Sequence, residues 1–99
     1  MNTINQNINL INSLCKFHKV DKLYAFGSVL TDRFNDRSDI DLIVSFGNVD
    51  LLDYADNYFD LKFSLENVVK RPVDLLEEKA IRNPYFKKAV VQKRHLIYG

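Results

Sequence analysis

The chain has no tryptophan, one cysteine, two prolines and three glycines in 99 residues. With Cys15 alone no internal disulfide can form, and Met1-Asn2-Thr3-Ile4 lacks the pattern of a secretory leader, so a reducing, cytoplasmic setting is expected. No apolar run approaches the roughly 20 residues that cross a bilayer, and a membrane is not an expected partner. There are no internal repeats, low-complexity tracts or linkers. Charge of one sign is also missing. Fourteen basic against 13 acidic side chains leave a formal net charge of +1, which excludes the global field that holds nucleic acid non-specifically.

What is present is the composition of a globular domain. With 46% hydrophobic and 27% charged residues, neither disorder nor a coiled coil is indicated. A chain of this size buries only about two-thirds of its unfolded surface, and a single domain over residues 1–99 is expected.

The apolar spacing predicts a first helix, capped by Thr3 and running to about His18, with Ile4, Ile8, Ile11, Cys15 and His18 on one stripe widened by Leu10, Leu14 and Phe17. Cys15 and His18 lie one turn apart, but two ligands on one helix are half a zinc site and no second pair exists, so they are read as packing residues. A strand over 23–26 ends in the Gly27-Ser28 turn. A brief helix over 29–34 and a polar loop over 35–38 lead to a second strand from Asp39 to Phe46. Asp50 is placed to cap a helix over 51–67, for which Leu52, Ala55, Tyr58, Phe59, Phe63 and Leu65 supply apolar surface. Tyr54 and Tyr58 are read as packing residues with hydroxyls reaching water. Pro72 opens a third strand through Leu76, Glu77 and Glu78 are read as surface charges, and Asn83 caps a last helix with Pro84 at its first position. The basic side of that helix is read as a solvated face, and the apolar ending Leu96-Ile97-Tyr98 docks on the body or on a partner. The fold class is α/β (α+β), a small mixed sheet of three or more strands flanked by about four helices.

The chemistry gathers in two stretches, Tyr24-Ala25-Phe26-Gly27-Ser28 and Asp39-Ile40-Asp41-Leu42-Ile43-Val44-Ser45-Phe46. Alternation along a strand puts Asp39 and Asp41 on one face, with Ile40, Leu42, Val44 and Phe46 on the other. Adjacent carboxylates raise each other's pKa unless a cation stands between them. Hard oxygen ligands without His or Cys suit Mg²⁺, which takes its remaining ligands from water and phosphates. Gly27 permits close approach of a ligand, and Ser28 offers a hydroxyl beside amide N–H groups where a helix begins. On its own a Gly-Ser pair is more often an ordinary turn, and a charged pair on a strand is as often protection of a sheet edge. A calcium loop through Asp36, Ser38 and Asp41 is excluded, because Asp41 and Gly47 stand where its Gly and Glu are required.

Gly27-Ser28, ten intervening residues and Asp39-Ile40-Asp41 together resemble the signature of the DNA polymerase beta-like nucleotidyltransferase superfamily, and the short chain resembles its minimal nucleotidyltransferase branch. The resemblance runs from about Tyr24 to Leu76 and implies the polymerase beta-like fold, with Asp74 as the third acidic residue on a neighbouring strand. By this resemblance Asp39, Asp41 and Asp74 are the catalytic and metal-holding carboxylates, two Mg²⁺ ions are used, and Gly27 and Ser28 cradle the phosphates of a donor, ATP above all. Many relatives carry an Arg three residues after the Ser; here Thr31 stands there, with Arg33 two residues on as an alternative phosphate contact or a solvated surface residue. The resemblance further implies an adenylyltransferase-type antitoxin that attaches AMP to a tyrosine of a HEPN-type partner. Two other readings stay open: a non-catalytic module that neutralises its partner by contact, and a small-molecule nucleotidyltransferase working as a homodimer.

Overall fold

The computed structural model describes residues 2–31, 33–35 and 37–99. Asp32, within the expected 29–34 helix, and Asp36, of the excluded calcium loop, lie outside the described residues, as does Met1. The elements run α1 (Asn2–Gln6), α2 (Ile8–Phe17), β1 (Val20–Phe26), β2 (Ile40–Phe46), α3 (Tyr54–Val69), β3 (Val73–Glu77), α4 (Pro84–Lys93) and β4 (His95–Tyr98). The sheet order is β3-β2-β1-β4, with β1 antiparallel to β2 and β4, and β2 parallel to β3. A parallel pair needs a crossover, and α3 provides it.

The expected first helix is two. Asn7 breaks it: its side-chain amide donates to the Thr3 carbonyl at 2.8 Å, a local bond that competes with continuing the helix. Thr3, expected as the cap, sits inside α1. Ile4, Ile11, Cys15 and His18 are buried as the stripe predicted, while Leu10 and Phe17 are exposed. The Cys15 thiol is pushed up to about 12 by burial, that of an inert core residue.

The sheet divides the interior in two. On one face Ile40, Leu42, Val44 and Phe46 of β2 meet Leu23 and Ala25 of β1 and Ile11, Cys15, Leu61 and Leu65 of the helices. On the other, Tyr24, Ile43 and Val90 form a smaller cluster under α4. Asn83 caps α4 as expected, its side-chain oxygen accepting from the N–H groups of Tyr85 and Phe86. Arg94 ties the α4 end down: its guanidinium lies 4.0 Å from the centre of the Tyr24 ring and 2.7 Å from Glu78. Glu78 is thus a paired residue rather than a free surface charge.

The helix expected over 51–67 begins later. Asp50 makes no side-chain cap, residues Leu51–Asp53 form one 3-10 turn, and Leu51 and Leu52 are exposed. α3 ends at Lys70, whose left-handed φ of 60° stops the helix. Its buried face is Leu61, Leu65 and Val69, whereas Phe59 and Phe63, expected to supply packing, are half exposed. Leu61 is fully buried, so Leu61→Ala should cost about 2–5 kcal/mol. The urea midpoint should fall with an unchanged slope, and a shift under about 0.5 kcal/mol would place Leu61 outside the core.

β4 was not foreseen as a strand. The apolar ending docks on the body, pairing Tyr98 with Leu23, Leu96 with Tyr24 and His95 with Ala25.

Candidate active site

Asp41 lies on β2 directly between two neighbours, in register with Phe26 of β1 and with Asp74 of β3. Directly paired residues share a face, so Asp41 and Asp74 emerge side by side on the α4 face of the sheet. Asp39 precedes β2 by one residue. Asp41 is half-buried, and Asp39 and Asp74 are exposed. The Asp41 carboxyl is held above the ordinary aspartate range, first by burial and then by the charges of Asp74 and Asp39. Among the described residues no Lys or Arg pairs with any of the three.

Gly27 closes the floor. Its φ is +79°, and an added Cβ would stand 2.5 Å from Oδ2 of Asp41. The turn must therefore be glycine twice over, for its left-handed backbone and for the carboxylate pressed against it.

The 29–34 helix is replaced by one 3-10 turn, Gly27–Leu30. A single turn has no developed dipole, so any anion attraction there rests on local groups such as the Ser28 hydroxyl. Thr31 is used locally: its hydroxyl and its N–H both donate to the Ser28 carbonyl at 2.9 Å, and its oxygen accepts from the Arg33 N–H at 3.2 Å. The position where relatives are expected to carry an arginine thus stiffens the turn. Arg33 is exposed, with no side-chain partner among the described residues.

These donors fit a hard divalent cation: oxygen only, anionic, without basic partners, one of them already penalised for its charge. As the side chains are placed, no group of three His, Cys, Asp or Glu among the described residues could by itself hold a metal ion. Asp74 and Asp39 lie near enough for their charges to act on Asp41, and an ion held by so few protein oxygens would take its further ligands from phosphate and water.

Residues not singled out from the sequence hold this arrangement. Arg71, one residue before Pro72, lies over the Phe34 ring at 4.4 Å and donates to the carbonyls of Asn35 at 2.9 Å and Ser38 at 3.2 Å. It ties the approach to Asp39 to the strand bearing Asp74. Arg71→Ala should lower kcat about tenfold with a smaller change in melting temperature, and Arg71→Lys, which keeps the charge but not the fork, should rescue little. Equal activity of all three proteins would remove this role. From the opposite side Tyr58 donates to the Leu75 carbonyl and Tyr54 to Glu77. Burial, then Glu77, pushes the Tyr54 phenol up to about 12. Their hydroxyls do not simply reach water; they brace β3.

A mixed sheet with Asp41 on an interior strand, Asp39 just before it, Asp74 on the parallel neighbour and a glycine turn beneath is an arrangement suited to a divalent cation and a phosphate ligand. Residues 9–99 match the family model described as polymerase beta, nucleotidyltransferase. A provisionally named protein adenylyltransferase of Methanocaldococcus jannaschii is 35% identical over 81 residues, covering 82% of this chain and 78% of that one. A solved structure provisionally described as a minimal nucleotidyltransferase superposes with a TM-score of 0.78 at 27% identity, over 94% of this chain and 91% of the other. A complex of a tri-AMPylated HEPN toxin with its MNT antitoxin from Shewanella oneidensis contains a chain of the same fold, with a TM-score of 0.66 at 23% identity, over 96% of this chain and 71% of that one. This chain belongs to the polymerase beta nucleotidyltransferase family, and it is a nucleotidyltransferase of the polymerase beta-like fold.

His18 and Cys15 do not form a metal site. His18 is buried, its Nδ1 is 2.7 Å from the Leu14 carbonyl and its Nε2 is 2.6 Å from Asp60. No helix among the described residues is long and apolar enough to cross a membrane.

Proposed function

We propose that the chain transfers AMP from Mg²⁺-bound ATP to a hydroxyl of a partner protein, as the antitoxin of a pair whose other member is a HEPN-type toxin carrying the acceptor tyrosine. The observation that carries the reading is the register of Asp41 with Asp74, above the Gly27 turn. The M. jannaschii relative's name and the AMPylated Shewanella complex support the donor group and the kind of partner.

In this reading Asp39 and Asp41 would hold one Mg²⁺ and Asp74 would help hold a second. Bound Mg²⁺ supplies neutralisation of the attacking and leaving oxygens. Gly27 and Ser28 would cradle the β- and γ-phosphates, with exposed Arg33 as a candidate further contact to the same anions. The partner's hydroxyl oxygen attacks the α-phosphorus in line, the bond to pyrophosphate breaks, and the hydroxyl proton leaves toward Asp74. The result is a phosphodiester-linked AMP and free pyrophosphate.

The experiment is incubation with Mg²⁺, the protein encoded beside this one, and ATP labelled on either the α- or the γ-phosphate. Label reaching the partner from α alone is the expected result. Label from γ alone means phosphoryl transfer and overturns adenylylation. Label from neither favours a contact-only antitoxin, the reading left open by Thr31 folding back onto Ser28.

A further inference from the structure

On the face of the molecule away from Asp41, α2 and α3 leave an open groove of about 510 Å³ lined by Phe17, Phe59, Phe63, Asp53, Asp56 and Asp60. It belongs to the helical layer, beside the C-terminal end of β2, where Tyr54 packs edge-on against Phe46 at 5.5 Å. Asp41 lies near the other end of the same strand and points to the opposite face of the sheet.

The aromatic residues here are not explained by packing. Phe17 is 80% exposed, Phe59 50% and Phe63 55%. Single exposed apolar side chains are ordinary, but three phenylalanines around one groove make a patch of the kind that marks an interface. Phe59 and Phe63, four residues apart, are nearly parallel, 6.1 Å between centres and 25° between planes. Phe17 is fixed edge-on to His18 at 5.1 Å.

Apart from His18, the ionisable side chains that line the groove are all acidic. Asp60 receives His18, and Asn57 donates to the His18 carbonyl at 2.8 Å, so the groove floor is stitched together. Asp53 and Asp56, at the start of α3, are favoured by the helix dipole but have no cationic partner among the described residues. No Lys or Arg lines the groove. That a cation is at home here is already visible: the Lys62 ammonium lies 5.9 Å from the centre of the Phe63 ring.

We infer that this groove is a docking site for a segment of a partner protein that presents Arg or Lys beside an apolar anchor, most simply one face of an amphipathic helix. Apolar anchors enter between Phe17 and the Phe59–Phe63 pair, and the cations meet Asp53 and Asp56 and the aromatic faces. Because the groove and Asp41 lie on opposite faces, the partner is held without obstructing the nucleotide. The inference rests on the reading that the acceptor is a protein, and gives that protein a handle distinct from its modified hydroxyl.

The test is an NMR titration of the ¹⁵N-labelled chain with a short helical peptide carrying Leu and Arg along one face, and with a twin in which every Arg is Glu. The Arg peptide should shift the amides of Phe17, Asn57, Asp60 and Phe63, and bind about tenfold more weakly at high salt, while the twin does not bind. Phe59→Ala with Phe63→Ala should weaken the Arg peptide about tenfold, and Asp39→Asn with Asp41→Asn should leave it unchanged. Equal binding of the two peptides, shifts gathered on α4, or no binding of either overturns the inference. So does sedimentation showing a dimer that Phe59→Ala with Phe63→Ala dissolves, since the occupant is then a second copy of the chain. The two proposals separate cleanly. Failure of the wild-type chain to pass α-label to its neighbour sinks adenylylation whatever the peptides do. Normal labelling by the Phe59→Ala, Phe63→Ala protein sinks the groove alone.

Discussion

Asp39→Asn combined with Asp41→Asn should abolish Mg²⁺-dependent ATP binding and lower transfer by about a thousandfold or more, since several kcal/mol of charge stabilisation are removed from the reacting phosphate. The fold should not suffer. Asp41 is ionised against burial and against Asp74 and Asp39, so its folded-state pKa lies above its unfolded one. A carboxyl shifted in that direction favours the fold while protonated and costs stability once charged. The metal-free wild type should therefore lose stability as pH rises out of the ordinary aspartate range through the raised value, and the double variant should lose less. At neutral pH the variant should melt at the same temperature or slightly above, and Mg²⁺ with ATP should raise the melting temperature of the wild type alone. Calorimetry that finds undiminished Mg²⁺-ATP affinity in the double variant removes the metal assignment.

Gly27→Ala should be nearly as damaging, by steric means. A left-handed backbone costs a non-glycine residue about 1–2 kcal/mol, which for a domain of this size lowers the melting temperature by roughly 4–8 °C per kcal/mol. The new methyl would also stand 2.5 Å from Oδ2 of Asp41, so the carboxylate has to move. Displacing a reacting group by about 1 Å is worth a hundredfold in rate. Activity should accordingly fall about a hundredfold at temperatures where the protein is fully folded, with weakened Mg²⁺-ATP binding. Gly47→Ala is the control, because its methyl meets only the Lys19 carbonyl, at 3.3 Å, and it should keep wild-type activity. A folded Gly27→Ala protein with normal kinetics would mean that Asp41 does no chemistry.

The two strands that bear the acids were legible because each obeys one rule. Alternation of Ile40, Leu42 and Val44 with Asp41 marks β2, and the isolated Asp74 between Val73 and Leu75 marks β3. That those acids are neighbours was not a matter of periodicity. It depended on the parallel pairing of β2 with β3, of which the family resemblance had given only that Asp74 lies on a neighbouring strand. The helical layer was read less well, for identifiable reasons. An apolar stripe does not say where a helix breaks, and Asn7 ended α1 through a bond to its own preceding turn. On α3 the aromatic residues outweighed Leu61 and Val69 in the sequence pattern, yet the smaller aliphatic side chains took the core and Phe59 and Phe63 were left outside. β4 is four residues long and carries no alternation to mark it. Arg71 could not have been foreseen, since its two carbonyl partners lie 36 and 33 positions away.

The place of β2 inside the sheet has a further consequence. Its amides are hydrogen-bonded to a strand on either side and covered by helices on both faces, so they should be among the last in the molecule to exchange with deuterium, opening only when the whole chain unfolds. Asp41 is thus mounted on the most durable part of the protein, whereas Asp74 sits on the edge strand beside it. Heat or denaturant too mild to unfold the chain should loosen α2 and α3 before it disturbs β2.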